Sequence, residues 1–100
     1  MSSYRIIVRT QADLDVDEAL AWYENERPGL AIEFLGELRA TFDRLADGPF
    51  KYQHLRSGVR RALLKRFPYA VFFIVEDDVV LVTAVLHTSR DPATWQRRID

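Results

Sequence analysis

Two groups of side chains have the types and spacing that chemistry requires. Arg60, Arg61, Lys65 and Arg66 crowd one short segment, and a guanidinium offers a planar fork that matches phosphate or carboxylate oxygens. Downstream, His87 stands three residues before Arg90. An imidazole exchanges protons near neutrality, and a neighbouring arginine stabilises charge that builds on a phosphorus centre. Each group also has a plainer explanation. Charges on an exposed strand keep it soluble, and a histidine at a strand end can satisfy backbone groups while Arg90 pairs with Asp91 or another acid. The residues alone leave both explanations open.

Other chemistries have no foothold. The chain lacks a glycine-rich phosphate loop, a G-x-S-x-G nucleophile turn and an H-E-x-x-H pair. His54 and His87 are far apart and have no carboxylates at ligand spacing, so no metal is expected, and nothing calls for a cofactor. With no cysteine, disulfides and thiolate sites are excluded. The acidic residues needed for a glycosidic pair lie on segments that read as solvated helix faces.

The elements that must position these groups follow from periodicity. Tyr69–Val75 and Val79–Leu86 are Val-, Ile- and Phe-rich runs separated by Glu76-Asp77-Asp78, which predicts a β-hairpin. The basic segment predicts a preceding strand over Val59–Phe67, with Phe67-Pro68-Tyr69 as the turn. On that strand Arg61 and Lys65 share one face, and Arg60 and Arg66 the other. Tyr4–Arg9 alternates as a first strand. Thr10 and Asp13 suggest a capping box opening a helix whose inward stripe is Val16, Ala19, Leu20 and Tyr23. Pro28-Gly29 ends it. Ala31, Phe34, Leu35, Leu38, Phe42 and Leu45 define a second helix, joined to the first by about two residues and therefore antiparallel to it. Gly48-Pro49 closes that helix, with glycine expected as a left-handed cap. Phe50–Gly58 reads as a loop. Asp91 and Pro92 suit the cap and first position of a short C-terminal helix. The order β-α-α-β-β-β predicts an α+β fold, a helical hairpin packed on one face of a mainly antiparallel sheet. Leu20, Tyr23, Phe34, Leu35, Leu38, Phe42 and Leu45 are expected to face that sheet.

One hundred residues, 48% hydrophobic and 29% charged, suit a single soluble domain over residues 1–100. No apolar run approaches the roughly 20 residues a membrane helix needs, and no signal peptide is evident, so a cytoplasmic setting without membrane contact is expected. The net charge of -1 hides an asymmetry. Ten acidic and three basic residues lie between Gln11 and Asp47, whereas six basic and no acidic residues lie between Lys51 and Val75. Arg90, Arg97 and Arg98 extend the basic half. A basic surface facing an acidic partner or a phosphate backbone is one expectation, and scattered solvated charge the other.

The ordered set Ala21-Trp22-Tyr23-Glu24, Pro28-Gly29-Leu30-Ala31, Phe34-Leu35, Arg60-Arg61, Arg66-Phe67-Pro68-Tyr69 and His87-Thr88-Ser89-Arg90-Asp91-Pro92, with Trp95 beyond, resembles the RelE/ParE superfamily of toxins from bacterial type II toxin–antitoxin modules. The likeness runs from residue 4 to about residue 98 and is closest to the ParE-like, plasmid-stabilisation branch. It implies a toxin held in a hetero-oligomer by a cognate antitoxin, acidic and partly disordered. ParE-like members poison DNA gyrase without known catalysis. RelE-like members cut mRNA on the ribosome with basic residues of the central strands and a C-terminal tyrosine. Arg61 matches such a basic residue. Ala70, however, stands where the ribonucleases open a strand with arginine, and Trp95 where they place the tyrosine. The resemblance therefore implies gyrase inhibition. Ribosome-dependent mRNA cleavage, with His87, Arg90 and Arg61 as catalytic candidates, is the alternative, and a non-toxic partner-binding module is a third. Arg60, Arg61, Lys65, Arg66, Arg90 and Trp95 are the expected contacts to target or antitoxin.

Overall fold

The fold is built on the hairpin of β4 (Tyr69–Glu76) and β5 (Val79–His87), whose β-branched and aromatic residues favour extended pairing. A computed structural model describes residues 3–99. The connecting turn places Asp77 at φ 55°, a left-handed conformation that a short polar side chain tolerates. Register runs from Tyr69 opposite His87 to Glu76 opposite Val79. It slips once, between Phe72 (opposite Ala84) and Phe73 (opposite Val82), and leaves Thr83 as the extra residue. The Thr83 hydroxyl donates to the Phe72 carbonyl at 3.3 Å, so this buried side chain is not left without a partner.

The sheet has five strands in the order β1-β5-β4-β3-β2. β1 (Arg5–Val8) runs parallel to β5, and the remaining neighbours are antiparallel. β3 covers Val59–Leu63 and β2 Gln53–Arg56. Helices α1 (Thr10–Glu26) and α2 (Leu30–Asp47) form the hairpin on one face, and α3 (Pro92–Arg97) crosses the other. The expected α+β architecture is present.

Each sheet face carries its own core. Phe34, Leu38 and Leu45 of α2 meet Val71, Phe73, Val80, Val82 and Val85 on the helix side, with Leu20, Tyr23, Leu35 and Phe42 packed around them. Leu38 is 2% exposed, as its place in the stripe requires. On the opposite side Val59, Ala70, Phe72, Ala84 and Leu86 are roofed by Trp95 of α3. An alternating strand normally leaves one face to water. Here both faces are apolar because a six-residue helix supplies the second cover.

Several local expectations are corrected. The segment Phe50–Gly58 is not all loop: Pro49–Lys51 is a 3-10 turn and Gln53–Arg56 forms β2. Ser57 (φ 54°) and Gly58 (φ 80°) make a two-residue turn with both φ values positive, the mirror-image type that matches strand twist. β3 stops at Leu63, not Phe67. Thr10 is already helical and Arg9 occupies the cap without a side-chain bond, so there is no capping box. Gly48 has φ −164° and is not the left-handed cap expected of it. The left-handed glycine is Gly29 (φ 90°), which opens α2 after a three-residue link and donates its N–H to the Glu24 carboxylate at 3.1 Å. Asp91 does cap α3, accepting from the Ala93 N–H at 2.9 Å.

Candidate functional site

The strands divide the four clustered cations. Arg61 pairs with Phe72 across β3 and β4 and so lies on the face roofed by α3. Arg60 lies opposite Phe73, on the helix side. There it donates to the Tyr52 carbonyl at 2.8 Å and its guanidinium sits 5.1 Å from the centre of the Phe50 ring. Lys65 and Arg66 are not strand residues, which corrects the expected pairing of faces. Glu37 of α2 accepts from the Lys65 and Arg66 N–H groups and from Arg66 Nε. Arg66 also meets Glu33 at 3.5 Å. A carboxylate receiving consecutive backbone N–H groups holds the chain in a turn, and β3 ends where that turn begins. Arg66 is accordingly a fold contact, its charge opposed by two acids.

Arg61, His87, Arg90 and Trp95 come together around a cleft of about 70 Å³, floored by Ala70, Phe72 and Leu86. Arg61 reaches Gln53 Oε1 at 2.6 Å, while its Nε is buried without a hydrogen-bond partner. A buried charged N–H left unpaired costs free energy that an anionic acceptor would recover. His87 Nδ1 accepts from the Ser89 N–H at 3.0 Å and lies 2.8 Å from the Ser89 hydroxyl. With Nδ1 serving as acceptor, the neutral ring carries its proton on Nε2. The imidazole therefore turns a donor outward, and a general base needs a lone pair there. The Arg90 N–H returns to the His87 carbonyl at 3.0 Å. Its side chain is exposed and forms no ion pair among the described residues.

Tyr69, edge-on to His87 at 5.4 Å between ring centres, does not supply the missing base. Burial pushes its phenol above the ordinary tyrosine value, and nearby Glu18 raises it further while Arg90 opposes this. A phenol held neutral donates rather than accepts the proton in question. Trp95 is buried and stacked on Phe72 at 5.5 Å with ring planes 14° apart. Expected as a contact residue, it both roofs the second core and lines the cleft.

A second, larger cleft of about 290 Å³ flanks α3 on its other side, lined by Arg56, Ser57, Ala93, Gln96, Arg97 and Ile99. Arg56 and Arg97 are not among the contact residues expected from the sequence. Arg56 belongs to the strand missed as loop, and the Ser57-Gly58 pair was the signal that would have revealed it.

Residues 6–92 match the family described as ParE toxin of type II toxin-antitoxin system, parDE. A solved chain from the chromosomal ParDE TA system from P. aeruginosa is similar in structure, with a TM-score of 0.75 and 17% sequence identity. That similarity covers 85% of this chain and 96% of the other, and at such low identity it speaks for the fold. No curated protein matches.

Proposed function

The chain belongs to the ParE toxin family of type II toxin–antitoxin systems, and from that premise we propose that it inhibits DNA gyrase by binding rather than by catalysis. A cognate antitoxin neutralises it in a cytoplasmic toxin–antitoxin hetero-oligomer. One observation carries the preference for binding over chemistry: His87 Nδ1 is occupied by Ser89. Cleaving RNA requires a base for the 2′-oxygen and an acid for the leaving oxygen. His87 offers Nε2–H as a donor and Tyr69 is neutral. Among the described residues the cleft lined by Arg61, His87, Arg90 and Trp95 holds no carboxylate, the acids Asp15 and Glu18 lying in the adjoining pocket beside Tyr69. Arg61 and Arg90 then serve as charges that grip a partner.

His87→Gln is therefore expected to retain most growth arrest at matched expression, with circular dichroism confirming the fold. For a ribonuclease the same change would lower cleavage by roughly 10²–10⁴-fold and abolish arrest. Arg61→Glu and Arg90→Glu are expected to weaken arrest strongly, with Arg90→Lys retaining part of it, because a point charge replaces some of what the guanidinium fork supplies. Unchanged arrest in both Glu variants would remove the cleft from the target contact.

A further inference from the structure

Among the described residues, Arg61 Nε is the one buried side-chain nitrogen or oxygen without a hydrogen bond. The half-buried guanidinium is held at its tip by Gln53 Oε1 at 2.6 Å. Pairing opposite Phe72 fixes the backbone at the other end of the side chain. A buried charged donor fixed in this way costs free energy that an anionic acceptor recovers. Arg61 forms no ion pair among the described residues. His87 and Arg90 line the same cleft, and with His87 Nδ1 taken by Ser89 the free donor of that ring is Nε2–H. The floor is apolar, with Phe72 and Leu86 beside Trp95.

Charge beside this cleft is mixed. Arg90 also lines the adjoining pocket with Asp15 and Glu18, and its neighbour Asp91 caps α3. Asp15 is committed to Arg98, whereas Glu18 forms no ion pair among the described residues. A polyanion running past the cleft would meet Glu18 and Asp91, and like charges repel. One anionic group confined to the cleft escapes most of that repulsion. Size points the same way: about 70 Å³ is far below the roughly 300 Å³ at which sites for whole small molecules begin.

We propose that this cleft receives a single carboxylate presented by a partner peptide, with the Arg61 guanidinium as its anchor. A carboxylate carries both oxygens in one plane at the end of an aliphatic stem. The oxygens suit the guanidinium fork, and the stem suits the floor of Phe72 and Leu86. A phosphoryl group has oxygens on every side, and those turned to the floor would lie against carbon without donors. The assignment deepens the reading of Arg61 as a charge that grips a partner. Its test is separate, because carboxylate binding is measured with no gyrase present.

The experiment is an NMR titration of the full nitrogen-labelled chain with the capped tripeptide acetyl-Leu-Glu-Leu-amide, following the arginine Nε–H signals. One charge-assisted fork is expected to give a Kd on the order of 1 mM, with the Arg61 signal shifting saturably. The neutral tripeptide acetyl-Leu-Gln-Leu-amide is expected to leave that signal in place. Its version with a free C-terminus tells a chain end from an acidic side chain as the source, and binding of either carboxylate supports the site. Arg61→Lys keeps the charge without the fork and is expected to weaken binding about tenfold, with circular dichroism confirming the fold. Arg90→Gln, at an exposed position, is expected to weaken it about two- to fivefold. Arg27→Gln, on the helix side, is expected to leave it unchanged. No saturable shift at millimolar peptide would overturn the proposal, as would equal binding of the two amidated tripeptides. Inorganic phosphate or a dinucleotide binding more tightly than the Glu tripeptide would also overturn it and give the cleft to phosphate. A supercoiling assay run in parallel separates the two readings. Gyrase inhibition without carboxylate binding sinks this proposal alone, and carboxylate binding without gyrase inhibition sinks only the gyrase reading.

Discussion

Asp15→Ala is expected to destabilise the protein by about 3–5 kcal/mol, the range for breaking one side of a buried ion pair. Asp15 and Arg98 are only 13% and 17% exposed. Arg98 grips both carboxylate oxygens, at 2.9 and 3.0 Å, and also donates to the Thr83 carbonyl at 3.1 Å. Asp15 takes the Val85 N–H as well, at 3.0 Å. β1 pairs β5 only as far as Val82, so beyond that point side chains complete the strand edge that no strand covers. Removing the carboxylate strands a guanidinium and a backbone N–H together. It also leaves the chain just after α3 with fewer ties, chiefly the Arg98 carbonyl held by Arg9 at 2.9 Å. The hydrogen bond to Asp15 raises the Arg98 pKa above its ordinary value. A raised folded-state value gives a contribution fully present below the unfolded pKa and lost only as pH climbs past the folded one. Near neutrality Arg98 therefore adds no pH dependence of its own. Urea unfolding measures the effect. The pair Asp15→Ala with Arg98→Met should recover a large part of the loss, since the unpaired charge is gone. A single-variant loss below about 1 kcal/mol, the size of an exposed pair, would show that the bridge is ornamental.

Phe34→Ala is expected to cost about 3–5 kcal/mol through lost burial and an unfilled cavity. Phe34 is fully buried. It stacks on Tyr23 at 5.3 Å and meets Phe67 and Tyr69 edge-on at 5.2 and 5.1 Å. These rings join both helices to the turn before β4, so the void cannot close by moving one side chain. Ile32, two residues earlier on α2 but 75% exposed, should change stability by no more than about 0.5 kcal/mol when made alanine. Equal losses at the two positions would contradict the assignment of the buried face.

The features legible in the sequence are those with strong local periodicity. The Phe34, Leu38 and Leu45 stripe and the two Val-rich runs around Asp77 each announce an element without reference to the rest of the chain. β2 was not legible by that route, because Gln53–Arg56 has little strand propensity and is extended by its pairing with β3. Lys65 and Arg66 were misplaced because Glu37, 28 and 29 residues away in sequence, ends the strand. The packing role of Trp95 was not legible, because nothing local says that a six-residue helix must roof a second core. The Asp15–Arg98 bridge spans 83 residues and leaves no pattern at all. Of the candidate site, Arg61, His87 and Arg90 line one cleft. The role of His87 turns on Ser89, two residues on, whose hydrogen bonds only the folded turn reveals.

Gyrase activity in the presence of the purified toxin is the most direct measurement. Relaxed plasmid, gyrase and ATP are incubated with the wild-type chain or His87→Gln, and the same preparations are added to programmed ribosomes. Both proteins are expected to suppress supercoiling to a similar extent, and neither to cut mRNA. Unimpaired supercoiling beside mRNA cleavage that disappears in His87→Gln would contradict inhibition by binding and identify a ribonuclease.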